Sequence, residues 1–566
     1  MSDEEFDYNI QELLDQVRPE EETGHVEYKR RLDNLTETRK ITLTNQLERR
    51  LHQGFGECIY YLGIDDDGIP FGLTKLELQN SQKNLSEIAH NLGCTLTTLE
   101  IKALDPKIVE SRQEEKNDIM QASGGNLVAT FLIRKRLSHL SDVKICMMGN
   151  VDSSKSTTLG VLLTGIRDNG RGSARKHILT HKHESETGQT SSVSSRIIGF
   201  KDDGTCVNEK YLQHRMSWTK ILEESCKIIS FSDLCGHRKY LCTTIRGLGI
   251  DPDYVILLID VQRGIQPMTI EHLELCNYYN IPVIILVTKI DLCQEKSVFN
   301  KLVVDIKRLC RDHGNYRIKP LFTPKQLMGV IEDFLGPNDS KISKIPFIPL
   351  IPISCVQLKN IDLLYSFLNL LPVRNKYDRK GPARFRVHTD YLVPQVGTIA
   401  YGLVESGFFE KGQKVLLGPT STGEYLSTVI KSIHYKRTSV LAAYAGQEIC
   451  FCLRNIKRAE VRRAMVILPN TGEKLAISRV HVNLMIRRTN RSTITNKYHP
   501  YVYIGTIGAS VQSFTILDAV ERLQAGYSYL VELKLLRPYY IQIGDRVIIK
   551  EAVVNGTGQV TEIFRE

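Results

Sequence analysis

No apolar run in this chain approaches the roughly 20 residues that cross a bilayer as a helix. The longest runs, Tyr254–Ile259 and Ile281–Val287, have the length of a strand. The acidic start, Met1-Ser-Asp-Glu-Glu-Phe6, lacks the basic and apolar regions of a signal peptide. No two of the 13 cysteines form a C-x-x-C pair. That argues against a disulfide framework and for free thiols in a reducing, cytoplasmic compartment. Cys450 and Cys452, two residues apart, supply at most half of a tetrahedral zinc site. No repeat of solenoid period is present. With 42% hydrophobic and 24% charged residues, the composition excludes collagen-like, mucin-like and wholly disordered chains.

What the chain has is length and an uneven distribution of charge. Its 566 residues suggest about three to four domains at roughly 150 residues each. The first 22 residues carry a net −8 and the remainder +18, out of +10 overall. A basic body behind a short acidic arm suits an anionic partner, nucleic acid above all; the plainer alternative is a solvated charged surface.

Four units are expected behind an acidic arm at residues 1–23. Residues 24–140 read as a small α/β extension: Ile59–Ile64 as a strand entering the turn Asp65-Asp-Asp-Gly68, Ile69–Leu73 as its partner, Leu76–Leu92 as a helix, and Leu96–Leu104 and Leu127–Lys135 as further strands. Residues 105–125 read as a loop. Residues 141–373 alternate short apolar strands with helical segments, the pattern of a mostly parallel sheet covered on both faces. A polar linker, 373–382, leads to Val-, Ile- and Tyr-rich strands punctuated by glycine. These are expected to form two small β-barrels, 383–469 and 470–566.

The chemistry-bearing motifs lie at strand ends of the α/β unit. The apolar strand Val143–Met148 runs into Gly149-Asn150-Val151-Asp152-Ser153-Ser154-Lys155-Ser156, followed by a helical segment from Thr157. Strand, loop and helix are the context of a phosphate loop, whose amides and helix N-terminus surround phosphates. Lys155 is placed to reach the β- and γ-phosphates of a nucleotide, and the Ser156 hydroxyl to bind Mg²⁺. Ser154 stands where a second glycine is expected, so its side chain is predicted to crowd the phosphates or to force an unfavourable φ.

Further on, Lys227–Ser232 leads to Asp233-Leu-Cys-Gly236-His237, a D-x-x-G turn that can bring a carboxylate to Mg²⁺ and a glycine amide to the γ-phosphate. Ile281–Val287 ends in Thr288-Lys289-Ile-Asp291. An Asp there can accept both guanine N1–H and the exocyclic amine, a pairing adenine cannot offer. Phe347–Ile353 ends in Ser354-Cys355-Val356, whose amides can meet guanine O6. Four motifs in this order at successive strand ends indicate a GTPase.

These residues, together with Asp168-Asn-Gly-Arg-Gly-Ser-Ala-Arg175, His181-Lys-His-Glu184 and Gly188-Gln-Thr-Ser-Ser-Val193, resemble the translational GTPase superfamily that includes elongation factor Tu. Within it the resemblance is to the GTP-binding protein 1 and 2 subfamily, from about residue 24 to the C-terminus. His237 and the D-N-G-R-G segment set the chain apart from small Ras-like proteins. The resemblance implies hydrolysis of GTP to GDP and phosphate, with water as nucleophile and Mg²⁺ as cofactor. It implies catalytic roles for Lys155, Thr190 and His237, with Thr190 the switch residue and His237 beside the attacking water. Ser156, Thr190 and Asp233 would then serve the metal, and Asp152 would lie near the phosphates.

Two more positions depart from the pattern. Gln189 replaces an apolar residue that, with Val151, would flank His237. Thr288 replaces an Asn whose longer side chain tethers neighbouring loops. His181–Glu184 is read as basic switch residues rather than a metal cluster.

In the C-terminal half, Val396–Ala400, Gly407–Gly412 and Val415–Pro419 resemble the first barrel of translational GTPases. Arg454, Lys457, Arg458, Arg462 and Arg463, and then Arg487, Arg488 and Arg491, form two basic clusters suited to tRNA phosphates. Expected partners are tRNA and the ribosome, in elongation or in ribosome and mRNA surveillance, with the protein monomeric and off the membrane. The alternative readings are a non-hydrolysing RNA scaffold with a degenerate phosphate loop and an adaptor of the mRNA-decay machinery.

Overall fold

The computed structural model describes residues 25–54, 56–104, 127–135, 141–177, 194–208, 218–293, 295–314, 316–335, 346–374, 377–489, 494–496, 498–551 and 554–565. The expected 105–125 loop and the 178–193 segment, with His181–Glu184, Gln189 and Thr190, lie outside these residues.

The N-terminal unit is a four-stranded sheet with two helices. Its strands are β1 (Val26–Lys29), β2 (Glu57–Leu62), β3 (Cys94–Ala103) and β4 (Leu127–Lys135), in the order β1-β2-β4-β3. Helix α1 (Glu37–Gln53) begins at Thr36, whose hydroxyl caps Arg39 N–H. Helix α2 (Lys75–Asn91) begins with a reciprocal Thr74–Glu77 capping box. Alternation along the strands fills both faces. Cys58, Tyr60, Leu62, Phe131 and Ile133 pack beneath Leu43, Leu47, Leu51, Leu78 and Leu85 of the helices. Ile59, Tyr61, Val128 and Leu132 join the core of the next domain.

The sheet therefore docks directly on its neighbour. Ile69–Leu73 is no strand: Pro70 makes only an isolated bridge to Ile64, and β1 and β4 flank β2 instead. Proline lacks the amide a ladder position needs.

The second unit holds β5 (Ser141–Gly149), α3 (Lys155–Thr164), β6 (Ser194–Phe200), β7 (Cys206–Val207), α4 (Trp218–Glu224), β8 (Lys227–Asp233), α5 (Leu241–Leu248), β9 (Tyr254–Asp260), α6 (Pro267–Tyr279), β10 (Val283–Thr288), α7 (Lys296–Gly314), β11 (Arg317–Pro320), α8 (Leu327–Leu335), β12 (Phe347–Pro352) and α9 (Ile361–Leu370). Its sheet order is β11-β12-β10-β9-β5-β8-β6-β7. It is parallel from β11 to β8, and the β6–β7 edge runs antiparallel. Apolar cores lie on both faces. The C-terminal ends of β5, β8, β10 and β12, where the four motifs begin, face one side of the sheet, the usual ligand edge of such folds.

Nine strands follow: β13 (Arg384–Val393), β14 (Gly397–Ser406), β15 (Phe408–Glu410), β16 (Lys414–Gly418), β17 (Leu426–Tyr435), β18 (Thr438–Val440), β19 (Ala442–Tyr444), β20 (Glu448–Leu453) and β21 (Val466–Pro469). The order β16-β21-β13-β14-β20-β17-β18 closes on itself through β16–β17 pairing. A second, six-stranded closed barrel is built from β22 (Ile477–Thr489), β23 (Tyr501–Ile504), β24 (Ile507–Ile516), β25 (Ser528–Tyr539), β26 (Arg546–Lys550) and β27 (Val554–Arg565). Closure removes the exposed edges that short strands would otherwise present.

Both barrels are tied to the central sheet. Lys436 on the first reaches Ser230 Oγ at 2.7 Å and Asp142 Oδ2 at 3.2 Å. On the second, the Tyr501 hydroxyl accepts from Arg246 at 2.6 Å, while Tyr278 of α6 donates to Val547 O at 2.7 Å.

Candidate functional site

The loop between β5 and α3 turns through backbone conformations that side chains resist. Gly149 sits at φ +151°, and a Cβ there would lie 2.6 Å from Ser153 Oγ and 2.7 Å from Leu258 O. Asp152 and Ser154 are left-handed, at φ +64° and +65°. Ser154 therefore adopts the backbone a glycine would take freely, at a cost of about 1–2 kcal/mol. It gives α3 no side-chain cap, so its hydroxyl does not satisfy the helix's first amides.

Lys155 is buried, and its Nζ donates to Gly149 O at 2.9 Å and Asn150 O at 2.7 Å. Burial lowers its proton affinity below the ordinary lysine value, against the opposing pull of Asp233 and Asp152. Ser156 Oγ donates to Asp233 Oδ2 at 2.7 Å, which brings the first turn of α3 to the end of β8. Gly236 is packed against the same loop: a Cβ there would stand 2.6 Å from Gly149 O and closer still to Lys155 Nζ. His237 is exposed, and its Nδ1 accepts from Lys239 N at 3.0 Å, so the neutral ring carries its proton on Nε2. Val151 and Thr157 are half-buried.

The second half of the site lies at the ends of β10 and β12. Thr288 Oγ1 donates to Ser153 O at 3.2 Å, so the shorter side chain still ties this strand end to the phosphate loop. Lys289, left-handed at φ +60°, pairs with Asp260 at 2.7 Å. Asp291 Oδ1 accepts from Ser354 Oγ at 2.5 Å, and that hydroxyl also accepts from Gln357 N at 3.1 Å. The Cys355 thiol, pushed up to about 11 mainly by burial, meets Thr158 Oγ1 at 3.4 Å. Val356 is half-buried beside it.

Lys155, Ser156, Asp233 and Gly236 are thus brought together by direct contact. Asp291 and Ser354 are likewise joined, and Thr288 links the two groups. Sequence reasoning missed Thr158 and the Asp152–Arg263 pair at 3.1 Å; Arg263 lies outside every motif.

The basic clusters divide. Arg454, Lys457 and Arg458 are exposed, although Arg458 pairs with Asp390 at 2.8 Å. With Leu392, Val396, Lys431 and Ile456 they line a cavity of ≈ 520 Å³. Arg462 is set differently from its exposed neighbours: it is half-buried, donates to Pro419 O at 2.9 Å and Pro538 O at 2.7 Å, and lies over the Tyr539 ring. It ties one barrel to the other because a guanidinium satisfies several carbonyls at once. Arg463 Nε donates to His388 O at 2.8 Å, and Arg487 Nε to Thr557 Oγ1 at 3.1 Å. The Arg488 side chain and Arg491 lie outside the described residues.

A phosphate loop, a D-x-x-G turn packed against it and a T-K-I-D/S-C-V pair on one sheet edge, followed by closed β-barrels, define a translational-type GTPase. Residues 141–385 match the family model described as Elongation factor Tu GTP binding domain, and residues 397–468 match Elongation factor Tu domain 2. The chain is a GTPase, hydrolysing GTP to GDP and phosphate.

It is 34% identical to GTP-binding protein 1 of Xenopus laevis over 531 residues, covering 93% of this chain and 76% of that protein. It is 33% identical to GTP-binding protein 2 of Homo sapiens over 557 residues, covering 96% and 88%. The chain belongs to the GTP-binding protein 1 and 2 family of translational GTPases. The fold is similar to that of translation elongation factor SelB from Methanococcus maripaludis, solved with the GTP analogue GppNHp, at a TM-score of 0.53 and 15% identity over 76% of this chain and 81% of that one. Among the described residues no helix is long and apolar enough to cross a membrane.

Proposed function

We propose that this GTPase is a cytoplasmic, Mg²⁺-dependent switch that grips tRNA on the ribosome, in elongation or in ribosome surveillance, and that it works as a monomer. Its working units are residues 24–140, 141–373, 383–469 and 470–566. The observation that carries the reading is the convergence of Lys155, Ser156, Asp233 and Gly236 at one end of a sheet whose other motif, Asp291–Ser354, is linked to them through Thr288.

Each residue has a role that its chemistry permits. Amides of the loop and the uncapped start of α3 take the phosphates. Lys155 exchanges its two carbonyl partners for phosphate oxygens, whose negative charge restores its proton affinity. Ser156 and Asp233 form a hard-oxygen pair suited to Mg²⁺, with Thr190 as the third contributor from the switch. When bound, the ion neutralises charge on the phosphoryl oxygens. His237 presents Nε2–H, able to hold the attacking water in line. Asp291 accepts from guanine N1–H and the 2-amine while the Ser354 hydroxyl fixes its orientation. Asn150, Val151, Ser153, Ser154, Thr157, Lys289, Cys355 and Val356 complete the pocket wall. The cavity at Arg454, Lys457 and Arg458, lined by cationic and apolar side chains together, suits the end of an RNA strand.

The test has two stages. Titration with a fluorescent GTP derivative and Mg²⁺ is expected to show binding that Lys155→Ala abolishes. Phosphate release stimulated by ribosomes is expected to fall at least a hundredfold, ~10², in His237→Ala, the range of general acid–base contributions. A chain that binds no guanine nucleotide, even as Ser154→Gly, would instead be an RNA scaffold. Co-purification with nucleases rather than with tRNA or ribosomes would make it a decay adaptor.

A further inference from the structure

The segment after α3 is built more rigidly than an exposed basic loop needs to be. Gly160, in the middle of α3, has no room for a side chain: a Cβ there would lie 2.6 Å from the Ala174 carbonyl carbon and closer still to its oxygen. The chain after the helix therefore folds back along it. Asp168, 4% exposed, is the centre of that fold. Its Oδ2 accepts from Gly170 N at 2.8 Å and Gly172 N at 3.1 Å; its Oδ1 accepts from Ala174 N at 2.9 Å and Ser173 Oγ at 3.2 Å. Asn169 Oδ1 takes Arg171 N at 2.9 Å and Ser173 N at 3.3 Å. Gly170 and Gly172 stand at φ +77° and +80°, as the wrap around the carboxylate demands.

The buried acid is thus answered by backbone amides and one hydroxyl, leaving the loop's own cations unanswered. Arg167, Arg171 and Lys176 are exposed and Arg175 is half-buried. None of the four lies within ion-pair distance of a carboxylate among the described residues. Four cations within ten residues on a fixed frame form a surface for a regular polyanion. Planar guanidinium forks match phosphate oxygens. The frame sits beside the guanine end of the nucleotide site, since Asp168 N donates to Cys355 O at 3.0 Å.

We propose that the Arg167–Lys176 loop is a docking surface for the phosphodiester backbone of RNA. It lies on the G domain, apart from the basic residues of the barrels. The alternative anion, an acidic peptide, is disfavoured because among the described residues the loop offers little apolar surface to accompany the charges, Ile166 being the large exposed hydrophobic residue beside it there.

The experiment uses the full chain and fluorescein-labelled bulk tRNA, with affinity read by anisotropy across a series of salt concentrations. The variant Arg167→Gln/Arg171→Gln/Lys176→Gln is expected to bind at least about tenfold more weakly at low salt. Its log–log salt slope should be shallower by about two to three, the loss of three phosphate contacts. Its affinity for a fluorescent GTP derivative and its melting temperature should match the parent. Arg167→Lys/Arg171→Lys is expected to keep the parental slope. Should the triple variant fold poorly, each single Gln variant is expected to lower the slope by about 0.7–0.9.

A parental slope in all Gln variants overturns the proposal. So does a loss seen only with a drop in melting temperature, which would assign the cations to the C-terminal dipole of α3. Binding of a polyglutamate peptide that needs Arg167 and Arg171 yet leaves tRNA affinity and its salt slope unchanged would assign the loop to an acidic protein. Lys155→Ala, which tests the nucleotide site, is expected to lose GTP while keeping the slope, so the two readings fail separately.

Discussion

Replacing Ser154 with glycine isolates the cost of the phosphate loop's main departure from pattern. Ser154 sits at φ +65° and its hydroxyl makes no cap to α3. Relief of the left-handed backbone is worth about 1–2 kcal/mol. Glycine's greater freedom in the unfolded chain returns about 0.4–1 kcal/mol. The net gain is about 0.5–1 kcal/mol, or roughly 1–4 °C in the transition that melts this domain. Calorimetry of the nucleotide-free protein reads it directly. Backbone strain present with and without nucleotide cancels from the binding equilibrium, so GTP affinity rises only by whatever crowding the side chain imposes. That rise is expected to stay below about tenfold. A glycine variant that melts lower than the parent would refute the reasoning, because Ser154 would then be making stabilising contacts that outweigh its conformation.

Three further outcomes follow from the same geometry. Gly236→Ala sets a Cβ 2.6 Å from Gly149 O; backbone cannot yield cheaply, and overpacking of about 1–3 kcal/mol should weaken GTP binding roughly five- to a hundredfold in a nucleotide titration. Thr288→Val removes the donor to Ser153 O and should cost about 0.5–1.5 kcal/mol, read as a lower urea midpoint with an unchanged slope. The third concerns pH. Burial alone would raise the Glu57 carboxyl, but the charges of Lys227 and Arg134 hold it below its ordinary 4.5. The unfolded chain then takes up the proton first, so this stabilisation is complete above about pH 4.5 and is lost as pH falls through the lower, folded value. Acid titration followed by circular dichroism should show a steep low-pH limb that Glu57→Gln flattens.

The parts of the account legible in sequence are those written in contiguous residues. Gly149–Ser156, Asp233–Gly236 and Thr288–Asp291 each carry their geometry locally, and the strand before each announces where it ends. Helix α1 was missed although Leu43, Leu47 and Leu51 repeat at i, i+4 along one face. What could not be read was assembled across distance. Strand β2 is legible as a strand, but its burial along the whole length is not, because one of its faces docks on another domain. The buried group of Glu57, Arg134, Lys227 and Asn369 O draws on residues from two units. One carboxylate there serves two cations, and burial pushes Lys227 down to about 8. The inter-barrel bonds of Arg462 could not be read either, because charge is visible in sequence and the carbonyls of Pro419 and Pro538 beside it are not.

The central claim is a guanine-specific pocket closed by Asp291. Calorimetric titration of the parent and of Asp291→Asn with GTP, ATP and xanthosine triphosphate, each with Mg²⁺, tests it most directly. The parent should bind GTP and reject ATP. The variant should lose GTP and gain xanthosine triphosphate, whose 2-oxo group accepts a hydrogen bond from the new amide. Equal binding of GTP and ATP by the parent, or a variant that still prefers GTP, would contradict the account.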